Sequence, residues 1–341
     1  MTISRRDALR GLVSLGAVAF AGTRRLPAVG AQENPAAVRL DYAYYNPSSL
    51  VLKKFGWLEE ALQEQGIGVE WVLSAGSNKA NEYLRSEAID FGSTAGAAAL
   101  LARANGSPIK TVYLYSKPEW AAVVVGKDSP LTQVSELQGK KVAATKGTDP
   151  YFFLLRSLEE AGLKGSDVEV INLQHADGRV ALERGEVDAW AGLDPHMAAS
   201  ELEAGSKLIY RNIDFNTYGF LNGREAFITQ YPELTATVIG QYERARQWIL
   251  ENPDEAAQIL ADESKVSLDV AKKVLTERTV LDFDTVPGQT QTDVLTAVIP
   301  IMVNENQVKP DTDLPAVLAE LLAPEIAAGV VEAAPAATPA A

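Results

Sequence analysis

From residue 38 to residue 193, short runs of aliphatic and β-branched residues alternate with helical patterns, and that alternation decides the fold class. Residues 38–45 read as a strand, with Val38, Leu40, Tyr42 and Tyr44 on one face at period two. Asn46-Pro47-Ser48-Ser49 is a turn that opens a helix through residue 65, and 69–73 is a second strand. The loop 74–78 opens a helix at 79–87, followed by a short strand at 89–92, a helix of small residues at 95–105 and a strand at 110–115. The pattern then repeats, with strands at 120–125, 142–145, 168–173 and 187–193 and helices at 151–161 and 178–184. Strands alternating with helices predict parallel α/β sheets. In such sheets a ligand meets the loops at the carboxyl ends of the strands. Four loops qualify: 46–49, 74–78, 93–94 and 146–150. Beyond about residue 215 the pattern turns mostly helical, with helices at 231–251, 254–262, 268–278 and 292–303, the last bent at Pro300.

Composition narrows the chemistry. With 31 Lys+Arg against 45 Asp+Glu the net charge is −14, which argues against a nucleic-acid partner or an anionic membrane. The absence of cysteine excludes disulfides, thiolate metal sites, Cys nucleophiles and a lipid-anchored N-terminal Cys. With only His175 and His196, a histidine-rich metal centre is excluded as well. The first 31 residues read as a leader. Ser4-Arg5-Arg6-Asp7-Ala8-Leu9 is a twin-arginine start, residues 12–22 are apolar, and Val29-Gly30-Ala31 predicts cleavage before Gln32. The apolar run is too short to span a bilayer and Arg24-Arg25 closes it, so the expected product is exported and free of the membrane. The tail 333–341 holds only Ala, Pro and Thr and is expected to be disordered.

The stretch Ala144-Thr145-Lys146-Gly147-Thr148-Asp149-Pro150-Tyr151 places a Gly loop and cap residues where a strand meets a helix, an arrangement whose free amides can bind an anion or simply cap. It lacks the glycine spacing of a nucleotide P-loop, and no dinucleotide fingerprint occurs. Ser48, Ser49, Ser77, Ser93 and Thr94 lie on the other crevice loops. Each alone reads as a cap; together they could form a hydroxyl cage for an oxyanion. Trp120 and Trp190 begin and end strands near the same crevice and read as core or as walls for an apolar ligand part. Asp194 beside His196 has no nucleophile in an elbow context, which argues against catalysis there.

The run Gly139-Lys140-Lys141-Val142-Ala143-Ala144-Thr145-Lys146-Gly147-Thr148, then Ala161-Gly162-Leu163, Asp167-Val168-Glu169-Val170, Gly185-Glu186-Val187-Asp188-Ala189-Trp190 and Asp194-Pro195, resembles the aliphatic-sulfonate/nitrate/taurine family of ABC-transporter substrate-binding proteins. Ile89-Asp90-Phe91-Gly92-Ser93 and Tyr115-Ser116-Lys117-Pro118-Glu119-Trp120 fit it too, and the resemblance spans the mature chain. It implies a type II periplasmic-binding-protein fold, two α/β lobes joined by two crossovers with a ligand cleft between them. Lobe 1 would be 38–118 plus 217–331 and lobe 2 would be 119–216. It further implies that Gly147 and Thr148, with Ser93, Thr94 and Ser77, hold sulfonate oxygens, and more loosely that Asn46, Ser48 and Ser49 face the ligand. Asp149 departs from that pattern: either it points away and caps, or it meets a cationic part of the ligand walled by Trp120, Trp190 and Tyr151. The expected partners are a small sulfonate or related anion, a cognate permease and, through it, an ATPase. The protein is expected to be a monomer without cofactor or metal. A binder of another anion or a quaternary ammonium, a sensor domain, and an enzyme like the thiamine-pyrimidine synthases are the competing readings.

Overall fold

The computed structural model describes residues 34–331; the expected leader at 1–31 and the tail at 333–341 lie outside the described residues. The strands are β1 (Ala37–Tyr42), β2 (Gly68–Leu73), β3 (Phe91–Ala95), β4 (Ile109–Pro118), β5 (Ala121–Val125), β6 (Lys141–Ala144), β7 (Glu169–Asn172), β8 (Ala189–Leu193), β9 (Lys207–Tyr210), β10 (Gly219–Arg224) and β11 (Thr279–Val280). They form two sheets, a six-stranded one in the order β11-β4-β10-β3-β1-β2 and a five-stranded one in the order β7-β6-β8-β5-β9. The first sheet draws its strands from both ends of the chain and the second from the middle. The backbone therefore passes between two lobes twice, at 118–121 and at 210–219.

Both sheets are mixed, which corrects the expectation of purely parallel sheets. β1 runs parallel to β2 and β3, but β10 is antiparallel to β3 and β4, and β5 is antiparallel to β8 and β9. β5 and β10 each follow a crossover and enter their sheets from the opposite end. The sequence reading passed over β10 altogether. Its residues are buried on both faces and its ladder to β4 shifts register twice, so neither a clean alternation nor a helical stripe remains.

Local chemistry sets several boundaries. The predicted helix from Ser49 to Gln65 is two helices, Pro47–Phe55 and Trp57–Gln63, because Gly56 takes a left-handed φ of 66° between them. Asn46 caps the first, accepting from the Ser49 amide, and Pro47 occupies the first turn. The segment expected to bend at Pro300 breaks before it, into Gln289–Thr296 and Ile299–Asn304 with Pro300 in the new first turn. The predicted helix 268–278 is α-helical only over Leu268–Lys272 and continues as a π-helical turn over Lys273–Glu277, just before Arg278.

Candidate functional site

The loop from β6 to the helix Asp149–Glu160 is built as the sequence suggests, with one difference. Gly147 turns the chain at φ 79°, a left-handed conformation that glycine reaches without strain. Thr148 is the N-cap residue, but its hydroxyl donates backward to the Thr145 carbonyl at 2.6 Å instead of accepting from the helix. The first amides of this twelve-residue helix therefore have no side-chain cap. The loop faces the other lobe: a Cβ on Gly147 would stand 3.8 Å from the Asn78 Cβ, and one on Gly76 would stand 3.0 Å from the His175 Nε2.

Asp149 takes neither of the roles expected of it. Its carboxylate is buried and accepts from the Trp120 indole N–H (2.9 Å), the Thr217 amide (2.9 Å) and the Thr217 hydroxyl (2.6 Å). Trp120 lies on the first crossover and Thr217 on the second. The Thr217 hydroxyl oxygen also accepts from the Ala97 amide at the start of the helix Gly96–Ala104 in the first lobe. One carboxylate thus ties the start of a second-lobe helix to both connections between the lobes. Burial pushes its pKa up and the three donors pull it back, leaving it above the ordinary value. Buried, and with both oxygens engaged by the crossovers, it is turned to the hinge rather than held free for a ligand ammonium. Tyr151, two residues on, is buried and packs obliquely on Phe152 with ring centroids 5.9 Å apart.

The hydroxyl cage in the first lobe is largely spent on itself. The Ser49 hydroxyl donates to the Asn46 carbonyl, that of Ser93 to Asp41 Oδ1 at 2.8 Å, and that of Thr94 to the Ala95 carbonyl. Asn46 gives its amide proton to Ser93 Oγ at 2.7 Å. Two hydroxyls keep a proton to give: Ser48 Oγ is fully buried with no partner, and Ser77 Oγ accepts from the Ala95 amide but donates to nothing described. The organiser of this cluster is Asp41, at the end of β1, which sequence reasoning missed. Asp41 is fully buried, its Oδ1 accepts from both the amide and the hydroxyl of Ser93, and burial pushes its carboxyl up to about 6. Its one sequence signal was a carboxylate near the end of a strand, on the period-two face that also carries Arg39.

The remaining candidates divide. Trp190 corrects the expectation of a ligand wall: it sits in the apolar core of the second lobe with Ala122, Val124 and Met197, and its Nε1 lies 2.6 Å from where a Gly178 Cβ would be. Trp120 stays at the seam, edge-on to Tyr45 with centroids 5.9 Å apart. Asp194, at the end of β8, pairs across the lobes with Arg278 at 3.2 Å and caps the Ala198 amide. Arg278 also bonds Glu201 of the second lobe. Burial holds the Asp194 carboxyl at about 6 even beside that guanidinium. Tyr44, Tyr45, Trp120, Asp194 and Arg278 enclose a hinge-side cavity of about 10 Å3, room for about one water. Nothing in the sequence flagged Arg278, because its partners lie far away along the chain. Among the described residues, no group of three or more His, Asp or Glu is placed to hold a metal ion.

The model of the family described as NMT1/THI5 like matches residues 56–256. Two relatives carry the name "Putative aliphatic sulfonates-binding protein". The one from Escherichia coli (strain K12) is 33% identical over 62% of this chain and 63% of its own length. The one from Bacillus subtilis (strain 168) is 28% identical over 83% of this chain and 88% of its own. The chain therefore matches less than two thirds of the E. coli relative. Among solved structures, the alkanesulfonate-binding protein SsuA from Xanthomonas axonopodis pv. citri bound to MOPS superposes with a TM-score of 0.76 at 23% identity, covering 83% of this chain and 98% of that one. Two mixed lobes joined by two crossovers are the type II periplasmic-binding-protein fold. With more than half of its length matched by the family model, the chain belongs to the NMT1/THI5-like family.

Proposed function

We propose that the mature chain is the extracytoplasmic substrate-binding component of an ABC importer, and that its ligand is a small aliphatic sulfonate held between the lobes. The observation that carries this reading is the helix start at Gly147-Thr148, whose amides lack a side-chain cap and face the 74–78 loop of the other lobe. Such amides, at the positive end of a helix, suit an oxyanion. The first lobe would contribute the Ser48 and Ser77 hydroxyls, the two in the cluster that retain a proton. The names of the two relatives support the sulfonate class.

Binding would work by closure. Contacts from both lobes to one anion exist only when the lobes meet, so the ligand shifts the equilibrium toward the closed form. A permease would read that form and its ATPase would drive release. On this reading lobe 1 is 38–118 plus 217–331 and lobe 2 is 119–216. The precursor is exported through a twin-arginine leader, and the product is a periplasmic monomer with no cofactor. The protein binds stoichiometrically rather than converting its ligand. In support, the Thr145 hydroxyl beside His175 already donates to the Leu173 carbonyl and is not activated by the imidazole.

A thermal-shift and calorimetric series on the mature chain tests the reading, using methanesulfonate, taurine, nitrate, choline and acetate. Saturable stabilisation is expected with the sulfonates above the others, and the ligand should be recovered unchanged. Stabilisation by choline or acetate alone, or turnover proportional to protein, would overturn it.

A further inference from the structure

Three polar atoms without partners gather on one side of the anion loop. A groove of about 290 Å3 runs between the helices Ser77–Arg85 and Gly96–Ala104 of the first lobe, and Gly147 of the second lobe borders it. Its walls include Asn78, Asn81, Ser107 and the apolar Leu101. Asn81 Nδ2 donates to the Ala98 carbonyl at 3.0 Å, which fixes the amide and leaves its Oδ1 as an acceptor. That oxygen is buried with no partner, and so are Asn78 Oδ1 and the hydroxyl of Ser107, itself 3% exposed. Buried polar groups without partners are uncommon, and a cluster in one groove calls for an occupant. The contrast with the hinge side is steric: there the lobes enclose about 10 Å3, whereas the groove beside Gly147 is open to a chain of several atoms.

Resting on the sulfonate reading above, we propose that the groove receives the tail of the bound sulfonate, and that Asn81 and Ser107 select tails carrying a hydrogen-bond donor. The head group would sit on the amides at Gly147-Thr148 and the tail would leave along the helix pair. Asn81 Oδ1 cannot donate, so an alkyl tail would leave it unpaired. A hydroxyl or amine on the tail would satisfy it. The groove is thus a specificity element separate from the anion loop.

The experiment titrates the full mature chain with methanesulfonate, pentanesulfonate and 4-hydroxybutanesulfonate, the last two having equal numbers of heavy atoms. The hydroxylated ligand should bind more tightly than its alkyl match. Asn81→Leu and, separately, Ser107→Ala should each reduce that preference by roughly three- to tenfold, the value of one neutral hydrogen bond. Methanesulfonate affinity should not move in either variant, which also reports on folding. Equal affinity for the two long ligands in the parent protein, or a preference unchanged in both variants, overturns the proposal while the sulfonate reading stands. Failure of every sulfonate to bind overturns the sulfonate reading and the tail site with it.

Discussion

Asp149→Asn separates a hinge staple from a ligand contact. The carboxylate accepts three hydrogen bonds, two of them on Oδ2 and one, from the Thr217 hydroxyl, on Oδ1. An amide offers one acceptor oxygen and an NH2. With that oxygen turned to the Trp120 and Thr217 N–H groups, the NH2 meets Thr217 Oγ1. That oxygen already accepts from the Ala97 amide, and its own proton is left without an acceptor. Bonds to a charged acceptor contribute about 1.5–3 kcal/mol each, neutral ones about 1, and a stranded buried donor costs about 1–3. The expected loss is therefore about 2–4 kcal/mol in the ligand-free protein, or a fall in Tm on the order of 3–6 °C for a chain of this length. Scanning calorimetry of the ligand-free variant beside its parent measures this, and titration calorimetry follows sulfonate affinity in the same samples. A ligand-free Tm within about 2 °C of the parent, together with a large loss of affinity for an ammonium-bearing sulfonate only, would refute the reasoning and return Asp149 to the ligand.

Three further outcomes follow from the same geometry. Thr148→Val should keep sulfonate affinity within roughly threefold, since the hydroxyl serves the Thr145 carbonyl and the amide survives the change; a hundredfold loss in titration would place the hydroxyl on the ligand. Gly147→Ala should lower stability by about 1–2 kcal/mol through its left-handed φ alone, because the added Cβ meets Asn78 at an ordinary 3.8 Å; an unchanged denaturation midpoint would contradict this. Arg278→Met strands the buried Asp194 carboxylate, while Glu201 keeps Lys273 at 3.7 Å, and should cost about 3–5 kcal/mol at pH 7, read from a denaturant midpoint that the parent retains.

The imidazole at the seam gives a pH prediction. Burial pushes His175 down to about 3, so the fold holds it neutral, while an unfolded His takes up a proton near 6.5. That contribution is complete above pH 6.5 and is lost progressively as pH falls toward 3, at about 1.4 kcal/mol per unit. The Asp41 and Asp194 carboxyls, pushed up to about 6, act in the opposite sense. The readout is therefore the difference between parent and His175→Gln. The parent should lose more stability than the variant between pH 6.5 and 4.5, and parallel Tm curves across that range would count against it.

Much of the fold was legible in the sequence because helices and most strands here carry their reason locally. The period-two face of β1, the Asn46 cap with Pro47 behind it, and Gly147 before the helix start at Thr148-Asp149-Pro150 are each written within a few residues. The motif order in the middle of the chain carried the family and, with it, the two-lobe plan. What tertiary structure alone decided is which polar groups remain free to act. Asp149 meets Trp120 and Thr217, 29 and 68 residues away, and so became a link to both crossovers instead of a ligand contact. Asp41 claims the Ser93 hydroxyl across 52 residues, and Arg278 claims Asp194 across 84. Trp190 was drawn into the second-lobe core, and β10 was inserted between β3 and β4. A hydroxyl or carboxylate has only a few bonds to give or accept. Its partners are set by which loops the sheets bring together, so sequence could name the loops of this site but not the atoms left over to bind.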